Sequence, residues 1–159
     1  MRTDNRKVKN TVVSIYFILI VFAILLVTIF KSFEFFTDST FFIALGLFVS
    51  LVLFHSIAGY FEYDSDGAKI IILNKGLILT EYINYRENKV EFTRQQLVGF
   101  KINNYIIYKS LVVLIKTYEG KKRKERFNVT LLKPKKLKYV KQSLSKTIKA
   151  NRKLKLKQG

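Results

Sequence analysis

Two stretches decide how this chain is read: residues 11–30, TVVSIYFILIVFAILLVTIF, and residues 39–61, STFFIALGLFVSLVLFHSIAGYF. Neither contains Asp, Glu, Lys or Arg, and each is longer than 18 residues. About 20 helical residues, rising ~1.5 Å each, cover the ~30 Å hydrocarbon core, and a helix satisfies its own backbone polar groups in lipid. Both stretches are therefore expected to be spanning helices. A buried helical hairpin would need far more surrounding chain than the 159 residues supply to cover two apolar helices on every side.

The flanks orient the pair. Arg2, Arg6, Lys7 and Lys9 precede the first stretch, whereas the connecting KSFEFFTD sets Lys31 against Glu34 and Asp38. The positive-inside rule then puts both termini in the cytoplasm and the short connection outside. The apolar stretch is too long for a signal-peptide core and no small-x-small site precedes Lys31, so the first helix is expected to remain uncleaved. The expected order is a cytoplasmic N-terminal segment (1–10), a first span (11–30), an external loop (31–38), a second span (39–61), a cytoplasmic domain (62–150) and a basic tail (151–159). In the second span Gly46, Ser50 and Gly59 are small enough to let another helix approach closely. His55 stands alone among ionisable side chains in either span, which is too little for an ion pathway.

Charge is divided as unevenly as hydrophobicity. The net charge is +18, yet residues 62–120 contribute +1 and residues 121–159 contribute +15. Such a concentration implies an anionic neighbour. Cysteine is absent, which removes disulfide frameworks and thiolate metal sites.

Beyond Phe61 the pattern changes to short β segments. Glu62–Asp64 leads into the turn Ser65-Asp66-Gly67, and Lys69–Leu73 reads as the returning strand. Asn74-Lys75-Gly76 turns the chain into Leu77–Tyr82, and further β segments are expected at Lys89–Thr93 and Gln96–Ile102. The clearest hairpin runs from Leu111 to Tyr118, turns through Glu119-Gly120 and the run KKRK, and returns from Glu125 to Leu132. In its second arm Phe127, Val129 and Leu131 alternate with Asn128 and Thr130, so one face is core and the other wet. Pro134 suits the first turn of a helix. Leu137, Val140 or Lys141, Leu144 and Ile148 then mark an amphipathic helix to about Ala150 that would cover an open end of the sheet, with the remaining NRKLKLKQG frayed.

Two spans followed by FEYDSDGAKIIILNKGLIL, VEFTRQQLVGFKI, the LVVLIKTYEGKKRKERFNVTLL hairpin and the KPKKLKYVKQSLSKTIK helix resemble the membrane-anchored bacterial PH-like proteins. The resemblance covers about residues 62–150 and the anchor, and it rests on the overall pattern because the group has no short signature. It implies a membrane α+β protein: a two-helix transmembrane hairpin and a partly open, seven-stranded PH-like β-barrel capped by a C-terminal α-helix, used for binding. It also implies a bacterial inner membrane as the location.

No constellation for catalysis is visible. Asp64, Asp66 and Gly67 look like the start of a calcium loop, but the twelfth position from Asp64 is Lys75, where a bidentate glutamate is required. The sole histidine lies in a span, and no Gly-rich phosphate loop is present. No enzyme activity, cofactor or metal is expected. The functional signal lies in the basic runs. Lys121, Lys122, Arg123, Lys124 and Arg126 occupy the hairpin; Lys133, Lys135, Lys136 and Lys138 open the helix; Lys141, Lys146, Lys149, Arg152, Lys153, Lys155 and Lys157 follow it. Near a bilayer each residue that reaches an anionic headgroup could add about 1 kcal/mol, although the same lysines could be no more than a solvated face obeying the positive-inside rule. Sequence-specific nucleic-acid binding is not expected, because the tyrosines are dispersed and no RNP strand motif exists. The expected function is that of a non-catalytic inner-membrane interaction protein whose domain binds a protein partner or self-associates, with a basic face on anionic phospholipid. The alternative is an accessory subunit of a transport or secretion complex, bound through its spans.

Overall fold

The computed structural model describes residues 2–31, 45–51, 58–77 and 87–158. Its first element, Arg2–Asp4 (β1), is a strand where the sequence suggested only a charged lead-in. The Asp4 carboxylate accepts from the Arg6 amide at 3.0 Å, near the positive end of the helix that follows. That helix, Arg6–Lys31, is long and apolar enough to cross a membrane. Ile15, Phe17, Ile18 and Phe22 are exposed along it, as a lipid-facing surface requires.

Of the second apolar stretch, residues 45–51 are helical, and residues 39–44 and 52–57, His55 among them, lie outside the described residues. Its end is not helix: residues 58 and 59 are irregular and β2 spans Tyr60–Asp64. Phe61 is apolar because it is fully buried in the domain core, which an uncharged run cannot distinguish from a membrane-facing residue.

The strands that follow are β3 (Lys69–Lys75), β4 (Asn88–Thr93), β5 (Leu97–Asn104), β6 (Lys109–Lys116) and β7 (Lys122–Asn128). The strand expected at Leu77–Tyr82 falls, after Leu77, outside the described residues. All pairings are antiparallel, and among the described residues they form two sheets, β1-β2-β3-β4 and β5-β6-β7. The expected barrel is thus not closed. A short 3-10 helix at Arg94–Gln96 and a bulge between Leu97 and Gly99 re-aim the chain between β4 and β5, so the ladder does not continue. Side-chain amides join the sheets instead. Asn74 donates to the Tyr60 and Asn128 carbonyls at 2.7 and 3.1 Å and accepts from the Asn128 amide at 2.8 Å.

Alternation fills the space between the sheets. Tyr63, Ile70, Ile72 and Phe92 from one sheet meet Leu111, Val113, Ile115 and Phe127 from the other in one buried cluster. The C-terminal helix, Pro134–Gln158, lays Val140 and Leu144 into that cluster, with Leu137 and Ile148 beside them, as its stripe suggests. Its fixings are polar as well: the Tyr63 hydroxyl lies 2.9 Å from that of Ser143, and Asn151 donates to the Arg94 and Leu97 carbonyls at 2.7 and 2.9 Å. Burial pushes the Tyr63 phenol above its ordinary pKa. Helix continues through the segment expected to fray, because residues 152–157 are all Leu, Lys or Arg, good helix formers, with no Gly or Pro among them. The molecule is an α+β protein of an N-terminal apolar helix, two antiparallel sheets and a C-terminal helix.

The apolar helix meets the domain at one end. Asn5 donates from its side chain to the Gly59 carbonyl at 2.8 Å and accepts from the Phe61 amide at 2.9 Å. A little further on, Tyr16 is buried with Ala58 and Leu77, against Val12, Leu51 and Leu131. The start of β2, the end of β3 and the segment after β7 therefore surround the root of this helix, and the Ser65–Gly67 turn and the β6–β7 turn lie at the far end of the sheets.

Candidate anion-binding surface

The β6–β7 hairpin turns tighter than the sequence implied. The Thr117 amide donates to the Lys121 carbonyl at 2.8 Å, and the Gly120 amide to the Thr117 carbonyl at 3.0 Å. Gly120 has φ of +83°, a left-handed conformation that favours glycine. Lys122, Arg123 and Lys124 consequently belong to β7 rather than to the turn, and the side-chain period of two sends them to different faces. Phe127 points to the core, so Arg123 and Glu125 share its side, where the two form an ion pair.

Lys122, Lys124 and Arg126 point outward. Register adds residues that sequence reading missed: Arg126 lies beside Val112, which lies beside Lys101, and Lys122 lies beside Lys116. The outer face of the three-stranded sheet thus carries Lys101, Lys116, Lys122, Lys124 and Arg126, all exposed, around Val112 and Leu114. No acidic residue shares these rows. The signal for Lys101 and Lys116 was present as one charge per strand, but only the pairing register brings them to the β7 cations.

The remaining candidates divide between other places. Lys121 pairs with Glu119 at 3.2 Å on the exposed turn. Lys136 donates to the Asp4 carbonyl and lies 3.6 Å from its carboxylate, which ties the helix start to the root of the apolar helix. Lys133 precedes that start. Lys9 stands over the Tyr60 ring at 5.6 Å and Arg6 opens the same helix, so cations gather around this end. Lys135 and Lys138 lie with Lys146, Lys149 and Lys153 on the side of the C-terminal helix opposite Val140 and Leu144, where helical spacing puts them. That helix has ten basic residues and no acidic one, so neighbouring charges cannot neutralise it internally.

Depth separates these groups. β7 runs from Lys122 to Asn128, and a Cβ on Gly59 would meet the Asn128 side chain at 3.3 Å, so Asn128 marks the root end. Six steps of ~3.3 Å put Lys122 about 20 Å from it, more than twice the Debye length of ~8 Å at physiological salt. Lys122 and its neighbour Lys116 therefore cannot share one planar anionic surface with the base cations, whereas Arg126, two steps from Asn128, and Lys101 in register with it lie nearer the root.

The helix-packing candidates also separate. Gly59 is not in a helix; a side chain there would meet the Lys75 carbonyl oxygen at 3.2 Å, so its smallness serves the approach of β2 to β3 and β7. The Ser50 hydroxyl donates to the Gly46 carbonyl at 2.8 Å within its own helix, and among the described residues a Cβ on Gly46 would meet nothing within 4 Å.

A shallow cleft between the sheets at the far end is lined by Lys69, Glu91, Gln96, Lys116, Tyr118 and Arg123 among others, and its Lys69 and Arg123 are held in ion pairs. Lys69 and Glu91 pair at 2.8 Å, which holds the Glu91 carboxyl below the usual range. The Asp64 carboxylate accepts from the Asp66 amide at 2.9 Å, the local bond of a turn. Among the described residues no three His, Cys, Asp or Glu side chains gather to hold a metal. The arrangement offers fixed positive charge on a rigid sheet.

Comparison with protein families, with curated proteins and with solved structures finds no match to this chain.

Proposed function

We propose that this is a membrane-anchored, non-catalytic interaction module of PH-like architecture, whose outer-sheet cations bind an acidic protein surface while the cations at its base lie on anionic phospholipid. The observation that carries it is the row of Lys101, Lys116, Lys122, Lys124 and Arg126, free of acidic neighbours, which rises from the level of Arg126 and Lys101 to Lys116 and Lys122 about 20 Å beyond the root of the apolar helix. At the height of Lys116 and Lys122 lipid headgroups are screened, whereas a partner protein beside the membrane is within contact. A four-stranded and a three-stranded antiparallel sheet with a C-terminal helix over their opening support the PH-like reading.

Two spans complete the proposal, with both ends of the chain on the cytoplasmic side of a bacterial inner membrane. β1 and β2 are hydrogen-bonded neighbours, though the whole apolar region separates them in sequence. Residues 4 and 62 therefore share one side of any membrane the Arg6–Lys31 helix crosses, and the chain must cross back before β2. The positive-inside rule makes that side the cytoplasm.

A second reading assigns the binding surface to the spans, in an accessory subunit of a transport or secretion complex. The space beside Gly46, open among the described residues, favours it. Gentle extraction from the native membrane, with copurifying proteins identified by mass spectrometry, separates the two. Reversal of Lys122, Lys124 and Arg126 to Glu is expected to release a stoichiometric partner while the protein stays in the membrane pellet. A partner that survives this change but is lost on Gly46→Leu would make the spans the binding surface.

A further inference from the structure

The turn between β5 and β6, Tyr105-Ile106-Ile107-Tyr108, is the wrong chemistry for an aqueous hairpin tip. Such turns favour Gly, Asn and Asp, which supply the turn conformations while remaining solvated. Here Ile106 is 104% exposed and Ile107 67%, so neither side chain is used by the domain. The turn is nonetheless ordered: the Tyr105 amide donates to the Tyr108 carbonyl at 2.8 Å, and the two rings stack with centroids 6.2 Å apart. A rigid turn thus presents two aliphatic side chains outward.

Its position says what they meet. The residue after the turn, Lys109, donates its amide to the Thr130 hydroxyl at 3.0 Å, and its carbonyl accepts from the Val129 amide at 2.9 Å. The next residue, Leu131, packs on the cluster of Tyr16, Ala58 and Leu77 at the root of the apolar helix. The exposed apolar surface of that helix begins at Ile15, one residue before Tyr16. Lys109 is therefore one bonded contact from the level at which the helix becomes lipid-facing, and the turn extends beyond it. Two tyrosines flank the aliphatic pair, and Lys109 follows them at the start of β6. Aromatic rings with a polar edge and basic side chains with long apolar stems suit the headgroup layer, with Ile106 and Ile107 entering the acyl boundary.

We propose that Tyr105–Tyr108 is a second membrane contact, a turn that dips into the cytoplasmic leaflet beside the helical anchor and fixes the tilt of the domain. This rests on the reading that the Arg6–Lys31 helix lies in a bilayer. The occupant is lipid rather than protein because the turn continues the exposed apolar surface of that helix.

The chain has no cysteine, so single cysteines report position cleanly. Ile106→Cys, Phe22→Cys and Lys121→Cys would each be labelled with bimane in the full chain, reconstituted in phosphatidylcholine–phosphatidylglycerol vesicles. Each would be quenched separately by iodide and by lipids brominated on the acyl chain. The expected result is several-fold stronger quenching by brominated lipid at positions 106 and 22 than at 121, with iodide quenching position 121 most. Lipid quenching at 22 but iodide quenching at 106 would overturn the proposal and leave the anchor intact. Position 106 shielded from both quenchers would mean that protein covers the turn, which also overturns it. Position 22 untouched by brominated lipid would remove the anchor and the proposal together.

Discussion

At the scale of single residues, four of the fold's critical joints are asparagine amides, each able to donate and accept at once. Asn5 holds the chain between the first strand and the apolar helix to the Gly59 carbonyl and the Phe61 amide, and it is 2% exposed. Asn74 and Asn128 join the sheets, and Asn151 fixes the far part of the C-terminal helix to the Arg94 and Leu97 carbonyls. None of these roles can be read from sequence, since an asparagine in a turn and one bridging two sheets look alike there. Asn5→Ala leaves two buried backbone groups without their partner, at a cost of about 2–4 kcal/mol. The melting temperature of the domain in detergent should fall by on the order of 10 °C. Ser110→Ala serves as the contrast: the Ser110 hydroxyl is buried with no hydrogen-bond partner among the described residues, so its removal should leave melting unchanged or raise it. Equal losses in the two variants would mean that Asn5 is no more than a packed side chain.

At the scale of elements, periodicity located most of what is seen, and it failed where two causes give the same letters. The alternation of Phe127 and Val129 identified the return arm of the hairpin, and the stripe Leu137, Val140, Leu144 and Ile148 identified the helix. The KKRK run reads as part of the turn because charge suggests a loop, yet on an exposed edge strand charge is equally at home and discourages edge pairing. The helix runs past the end of its apolar stripe because loss of the stripe marks the end of burial, not of helix. From Asn151 on, residues such as Leu154 and Leu156 are exposed, so propensity alone supports the last turns. Lys149 and Lys153, four apart on one face, repel, and such a pair costs about 0.2–0.5 kcal/mol at low salt. Hydrogen exchange of the amides after Asn151 should slow about twofold when salt is raised from 10 to about 300 mM, a gain that screening alone would produce. Amides of residues 140–148, buried against the sheets, should not respond. A uniform response along the whole helix would show that charge acts on its docking rather than on its end.

At the scale of the whole molecule, the apolar stretches were legible and their relation to the domain was not. The sequence suggests an anchor followed by a domain, whereas the domain begins with Arg2–Asp4 and the apolar region leaves and re-enters one sheet between adjacent strands. Three residues are too few to show an alternation, and their partner, Glu62–Asp64, is about sixty residues away. The same is true of the outer-sheet surface: Lys122, Lys124 and Arg126 could be picked out as a run, but Lys101 and Lys116 join them only through register. The strand pairing carries a consequence for topology that hydropathy cannot supply. Breaking β1 from β2 would expose Asn5 and the edge of β2, so the proposed anchoring requires both strands on one side of the membrane and an even number of crossings between them. Single cysteines at Lys7, Thr37 and Tyr118, probed with a membrane-impermeant maleimide, test this in intact and permeabilised cells. Lys7→Cys and Tyr118→Cys should react only after permeabilisation, and Thr37→Cys in intact cells. If positions 7 and 118 lie on opposite sides, the β1–β2 pairing does not exist in the membrane-bound protein. If all three react alike, the apolar helix does not cross the bilayer.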